Sequence, residues 1–308
     1  MTAPNLLHDP ILFDAAEARP LQGMSGATVL LMTRDKRHWF VRKAARDPAA
    51  SPRLRRQLAK QLAFGQAQDG TVRAPEVLGH GEIDGRFYFD MEFVRGTDGV
   101  SYLRRANYGE VAMVGDRLCG YLREMSARAP LDPHSTPSES LFDALYTKVC
   151  GVHRRTNILA DETIVQVFVA LERLRAIAPT LVPTACHGDL TLENFVVDEH
   201  GTFWLIDFLD APSEHWWHDV TKLHQDLDGG WYWRGQLPIA ACVLDYLSRR
   251  LIAAATECDP RYPGQHALLL ACTFLRVLPY ARDADEVAFV RARIEHFARS
   301  CAAEMSSP

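Results

Sequence analysis

Apolar and polar positions recur at two different periods along this chain, and the change between them near residue 96 divides it. Residues 27 to 33 (ATVLLMT) and 38 to 43 (HWFVRK) read as two short strands around the charged turn Arg34-Asp35-Lys36-Arg37, a hairpin. Residues 52 to 68 are expected to be helical, because Leu54, Leu58, Leu62 and Phe64 recur at close to helical spacing and Pro52 suits a first turn. Two more strand-like runs, 76 to 82 and 86 to 94, flank Asp84-Gly85, a strong turn signal. The first part, residues 1–95, therefore predicts an antiparallel sheet with one helix. The second, 96–308, predicts helices near 107–127, 138–154, 161–177, 216–228, 237–257, 263–281 and 284–303. One island of strand interrupts them, where FVV (195–197) and FWLIDF (203–208) flank a turn at His200-Gly201.

Composition narrows the class without changing this picture. The 308 residues suffice for about two domains with large cores. Apolar residues at 47% and charged residues at 24% are globular values. A net charge of -5 disfavours a general nucleic-acid binder. The charge is uneven, +6 over residues 1 to 75 and -11 over the remainder. Differently charged ligands for the two parts are one reading; a solvated helix face bearing Arg53, Arg55, Arg56 and Lys60 is the other. Seven cysteines, odd in number, without a CxxC pair and mostly among apolar neighbours, suit buried reduced thiols and a cytoplasmic protein. The start lacks a basic n-region, and no stretch offers about 18 uncharged apolar residues, so neither export nor membrane insertion is expected.

The densest chemistry lies in HGDLTLENFVVDEHGTFWLIDFLD, residues 187 to 210. Asp189, Asn194 and Asp207 offer three metal-capable oxygen side chains at the ends of two short strands. Such ligands suit Mg²⁺, which prefers one or two carboxylates together with substrate phosphates and water. Asp207 stands within the apolar run Leu-Ile-Asp-Phe, where an unpaired carboxylate is costly, so it needs a cation.

In residue type, order and spacing this segment resembles the aminoglycoside phosphotransferase and choline kinase group of the protein-kinase-like fold, marked by HGDxxxxN followed by a strand ending IDF or IDW. The resemblance implies an α+β, bilobal architecture with an N-terminal sheet and a mostly helical C-terminal part. It also implies that Asp189 faces the acceptor hydroxyl and that Asn194 and Asp207 hold Mg²⁺. Upstream, Gly23, Ser25 and Gly26 stand where the fold requires a phosphate-covering loop. Lys43 resembles the strand lysine that touches the ATP phosphates, and alternation sets Val41 on the same side, facing adenine. A register slip of one residue would exchange Lys43 for Arg42, which can also hold phosphate. The following helix offers Gln57 and Gln61 where kinases usually supply a glutamate, so either an amide oxygen supports the lysine or an acid from elsewhere does. Glu92, Phe93 and Val94 resemble the hinge whose backbone holds adenine.

Beyond Asp207, the fold implied by the resemblance has its acceptor region. Asp210 and Glu214 are expected to bind sugar hydroxyls or amines, and Trp217 and Trp231, among Trp216, Tyr232 and Trp233, to stack on a sugar or surround a cation, unless they pack in the core. His215, His218 and His224 invite a zinc reading, but no complete tetrahedral set is evident, and Asp219 is expected to cap or brace the catalytic loop. Cys186 beside His187 is not expected to be a nucleophile, because neighbouring strand residues face opposite ways. The expected activity is ATP- and Mg²⁺-dependent transfer of a phosphoryl group to a hydroxyl of a small polar molecule, a sugar or sugar derivative. A choline or ethanolamine kinase and an inactive nucleotide-binding module are the alternatives.

Overall fold

The computed structural model describes residues 9–21, 27–66, 72–131, 141–156, 159–209, 211, 214–233 and 238–304. Its internal contacts divide the chain into two units, Met1–Thr97 with Asn194–Asp210, and Asp98–Glu193 with Ala211–Pro308.

The first unit holds β1 (Glu17–Pro20), β2 (Ala27–Thr33), β3 (Trp39–Ala45), α1 (Ser51–Gln66), β4 (Val72–Arg73), β5 (Val77–Ile83), β6 (Arg86–Glu92), β7 (Gly96–Asp98), β8 (Phe195–Asp198) and β9 (Phe203–Leu205). One sheet has the order β1-β2-β3-β6-β5 and is antiparallel throughout. A second has the order β4-β9-β8-β7. The hairpin between β5 and β6 turns on Asp84 (φ 52°) and Gly85 (φ 73°), the left-handed pair that a two-residue hairpin turn requires. Gly96 on β7 lies so close to β8 that a Cβ there would come within 2.5 Å of Val196 Cγ1 and 2.6 Å of Val197 O, which excludes any side chain.

Both faces of the first sheet are covered. Val41, Ala45, Phe87, Phe89 and Met91 pack with Leu54 and Leu58 of α1, whereas Leu30, Met32, Phe40 and Ala44 pack with Ile11 on the other side. The helical spacing in α1 misleads at two positions. Leu62 is exposed, because Gln57 and Gln61, both buried, take the centre of the inward face and leave Leu62 on its shoulder. Lys60 is buried rather than solvated, donating to Leu209 O at 2.8 Å, while Arg53, Arg55 and Arg56 are exposed.

The second unit comprises α2 (Gly99–Leu103), α3 (Tyr108–Ala127), α4 (Leu141–Thr156), α5 (Asp161–Ile177), α6 (Trp217–Leu227), α7 (Ala241–Cys258), α8 (Pro263–Val277) and α9 (Ala284–Glu304). Helix α3 begins with a capping box, in which Asn107 accepts from the Glu110 amide and Glu110 from the Asn107 amide. Helix α8 is apolar and buried continuously from Ala267 to Leu275. Helix α6 is equally buried from Asp219 to Leu227, yet carries Asp219, Lys222, His224, Gln225 and Asp226. A polar helix without solvent must find partners for these groups inside the protein, and this marks α6 as the element to follow. Among the described residues no helix is long and apolar enough to cross a membrane. Cys119, Cys186, Cys272 and Cys301 are buried free thiols, and Cys242 is exposed.

Candidate active site

In the first unit, strand alternation separates two neighbouring cations on β3. Arg42, fully buried, is opposite Asp90 of β6 and is gripped by both Asp90 oxygens at 2.6 and 2.8 Å. Its Nη1 donates to Ile11 O at 2.8 Å and to Asp14 Oδ1 at 2.9 Å. Lys43 lies on the sheet face of Val41 and Ala45, and its Nζ donates to Asp207 Oδ1. The acid that supports the lysine is thus Asp207 itself. Gln61 donates its amide to Pro75 O at 2.9 Å, and Gln57 Oε1 is buried without a hydrogen-bond partner.

Asp207 follows β9 with φ 63°, a left-handed conformation that a non-glycine residue adopts only at some strain. The two other described non-glycine residues with positive φ, Lys36 and Asp84, sit at hairpin turns. The amide of Ile206 donates to Asn194 O at 3.0 Å, so Asn194 and Asp207 share one end of the β8–β9 hairpin. Carboxamide and carboxylate oxygens are hard donors of the type Mg²⁺ takes. The Asp207 side chain, ion-paired with Lys43, is still 27% exposed, so it has room to take a second cation. At the hinge candidate, the Glu92 amide donates to Glu76 O at 2.8 Å, and Phe93 packs onto the α1 side of the sheet.

In the second unit, the loop carrying Asp189 is held by one stripe of α6. Asp219, Lys222 and Asp226 recur at i, i+3 and i+7 and so share one flank of the helix. The carboxylate of Asp219 accepts two successive backbone amides, from His187 at 2.6 Å and Gly188 at 2.9 Å, and the hydroxyl of Tyr121 at 2.6 Å. Gly188 has φ 90°, which the turn needs for both amides to face one carboxylate. The Leu192 amide donates to Asp226 Oδ2 at 2.7 Å, and His218 Nε2 lies 3.1 Å from Gly188 O. Lys222 Nζ stands 2.9 Å from Asp189 Oδ1, with Arg276 Nη2 at 3.9 Å. Burial pushes the Asp189 carboxyl up, but Lys222, then Arg276 and His187, outweigh it and hold the group ionised, at about 2. Asp226 goes the other way: burial raises it to about 7 despite the Leu192 amide.

The acceptor candidates fare differently. Trp217 is fully buried against Tyr262 and His215, with ring centroids at 5.6 and 5.1 Å, and Trp231 is buried edge-on against Phe274 at 6.4 Å. Both are buried packing residues in the helical core. Glu214 is buried and accepts from the Cys186 thiol at 3.4 Å. Gly23, Ser25, Gly26 and Asp210 lie outside the described residues. Sequence reasoning anticipated the brace from Asp219 but missed Lys222 and Asp226. Their signal was the polar i, i+3, i+7 stripe set between the apolar Val220, Leu223 and Leu227.

The antiparallel sheet, the helical second unit and the HGD loop braced from α6 define a protein-kinase-like fold, and solved structures agree. The GDP complex of wild-type aminoglycoside 2'-phosphotransferase-IIIa matches with a TM-score of 0.67 at 15% identity over 93% of each chain. A putative fructosamine-3-kinase from Thermobifida fusca gives 0.62 at 16% over 94% of each chain. Choline kinase LicA from Streptococcus pneumoniae gives 0.58 at 14% over 94% of this chain and 96% of that one. At such identities these likenesses establish the fold alone. No curated protein matches the sequence significantly. The model of the phosphotransferase enzyme family, APH, matches residues 17–260, and the chain belongs to that family.

Proposed function

We propose that this protein transfers the γ-phosphoryl group of ATP to a hydroxyl of a small polar acceptor, a sugar or sugar derivative. The observation that carries the reading is the Asp189 carboxylate, held ionised by Lys222 on a loop whose amides are pinned by Asp219. In this reading Asp189 accepts a hydrogen bond from the acceptor hydroxyl and aims its oxygen at the γ-phosphorus. The new O–P bond forms as the bond to the β–γ bridging oxygen breaks, ADP leaves, and the hydroxyl proton passes late to Asp189. A carboxylate with so low a pKa is a weak base, which suits orientation followed by late proton transfer. Lys43 offsets charge on the phosphates, with Val41 on the same sheet face beside adenine, Glu92, Phe93 and Val94 as the hinge, and the 23–26 segment covering the phosphates. Asn194 and Asp207 would hold Mg²⁺, which supplies positive charge to the transferring phosphoryl oxygens when bound.

For the acceptor, Asp210 stands three residues beyond Asp207 and offers a carboxylate for hydroxyls. With Trp217 and Trp231 buried, recognition rests on hydrogen bonds and charge rather than on ring faces, which suits a polyhydroxyl acceptor better than a quaternary amine that needs a cation cage. The test is phosphate transfer from radiolabelled ATP with Mg²⁺ to a panel of free sugars, aminoglycosides, fructosamines, choline and ethanolamine. A labelled sugar-class product is expected, and Asp189→Asn should lower kcat by roughly 10²-fold or more while sparing the KM for ATP. Labelling of choline alone would overturn the acceptor class, and full activity of Asp189→Asn would overturn the role of that residue.

A further inference from the structure

The flank of α6 opposite the Asp219–Lys222–Asp226 stripe carries a second cluster. His224 and Asp228, one turn apart at the end of α6, meet His266 from the first turns of α8. Asp228 Oδ2 lies 3.0 Å from His224 Nδ1 and 3.3 Å from His266 Nε2, and one ligand atom from each residue falls within 4.8 Å of the others. We infer that His224, Asp228 and His266 form a binding site for a transition-metal dication, Zn²⁺ above all, that ties α6 to α8.

Three features support a metal over a hydrogen-bonded triad. The first is geometry: tetrahedral zinc at its usual bond lengths sets ligand atoms roughly 3.3 Å apart, close to the two separations above, so small side-chain rotations suffice to bind it. The second is the outer shell. His266 Nδ1 lies 2.9 Å from the hydroxyl of the buried Tyr262, which is in turn hydrogen-bonded to Thr221, and this orients the ring with Nε2 toward Asp228. The third is charge. His224 is fully buried, and Asp228, whose carboxylate also takes a hydrogen bond from Ser248, pairs with no lysine or arginine among the described residues, so the triad holds a carboxylate between imidazoles without a permanent cation.

Two imidazoles and one carboxylate select zinc, cobalt or nickel over magnesium, and three protein ligands leave one position for water. The side chains of Asp228 and His266 are 29% and 17% exposed, which gives an ion a way in. Residue 266 is 42 positions from residue 224, so the set is invisible as a sequence motif. The site is separate from Asn194 and Asp207, and the inference stands or falls independently of the phosphotransfer reading.

The test is zinc binding by the full-length chain freed of metal with a chelator, measured by competition with a chromophoric indicator and by thermal melting. One equivalent should bind and raise the melting temperature by roughly 3 °C or more. Asp228→Asn and His266→Gln, close in shape to the native residues, should each weaken binding at least tenfold and abolish the shift, whereas Asp207→Ala should retain both. Cobalt substituted into the wild type should give the intense visible absorption of a tetrahedral site, a measurement that needs no variant to fold. No zinc binding by the wild type, binding undiminished in both cluster variants, or binding lost in Asp207→Ala would each overturn the site.

Discussion

Two clusters of buried charge, one on the sheet of the first unit and one on α6 of the second, behave oppositely. On the sheet of the first unit, Arg42 and Arg34 share the carboxylates of Asp14 and Asp90, and Arg42 also lies over the rings of Phe13 and Tyr88 at 4.8 and 4.4 Å. Burial opposes every charge there, yet the hydrogen bonds prevail: both arginines are raised and Asp14 is lowered. On α6 of the second unit burial prevails. Lys222 is lowered in spite of Asp189, Asp226 is raised, and Asp226 Oδ1 and Gln225 Nε2 have no hydrogen-bond partner. The first cluster is complete within the fold and serves to fix it. The second keeps an ionised Asp189 beside groups that burial disfavours, an arrangement that fits the role proposed for Asp189.

The sharpest way to break this contrast is to remove one cation from each face of β3. Arg42→Met should cost about 3 to 5 kcal/mol in urea unfolding, because it leaves Asp14 and Asp90, buried or partly so, with only the half-exposed Arg34 to balance two carboxylates. Lys43→Met should cost much less stability but lower kcat/KM for ATP roughly tenfold to a hundredfold, the worth of one charge-assisted contact to phosphate. An Arg42→Met protein of normal stability and impaired ATP use would reverse the assignment and make the complete cluster the functional one.

Within the α6 cluster, Lys222→Met tests whether the lysine keeps Asp189 ionised. The sign follows from the causes: burial raises the Asp189 pKa, and Lys222 is the largest influence lowering it to about 2. Without Lys222 the pKa climbs toward or beyond the usual carboxylate value of roughly 4, so kcat should fall about tenfold and acquire an acid limb in mildly acidic buffer that the wild type lacks. Lys222→Arg should restore the flat profile. A uniform loss of activity at all pH values, without a new limb, would mean that Lys222 only supports packing.

Much of this was legible in the chain, for reasons that also explain what was not. The Asp84-Gly85 turn, the β8–β9 hairpin and the long helices announce themselves through local chemistry and periodicity. Strands β1, β4 and β7, of two to four residues, are too short to show a period and exist because the sheets extend onto them. HGDxxxxN and IDF were readable because spacing within one loop and hairpin fixes their neighbours. Whether Arg42 or Lys43 shares the Asp207 side of β3 depended on Asp14 and Asp90, 28 and 48 positions away from Arg42. Trp217 and Trp231 looked like binding residues because composition alone cannot tell a buried ring from an exposed one. Lys222 and Asp226 were hidden for the opposite reason: charged residues on a helix are expected in solvent, and α6 has none.

The smallest effect is the most discriminating for the contrast between the clusters. Asp226 accepts the Leu192 amide through Oδ2, while its Oδ1 is buried without a partner. If the residue matters as an acceptor for the loop and its charge is a burden, Asp226→Asn should keep the acceptor, shed the buried carboxylate, and leave stability within about 1 kcal/mol of the wild type or slightly above it. Asp226→Ala should instead leave the Leu192 amide buried and unpaired, at roughly 1 to 3 kcal/mol. Urea unfolding of the two variants beside the wild type, at one neutral pH, reads the difference directly. Equal destabilisation by Asn and Ala would show that the charge of Asp226 is itself required, and the α6 cluster would then be as complete as that around Arg42.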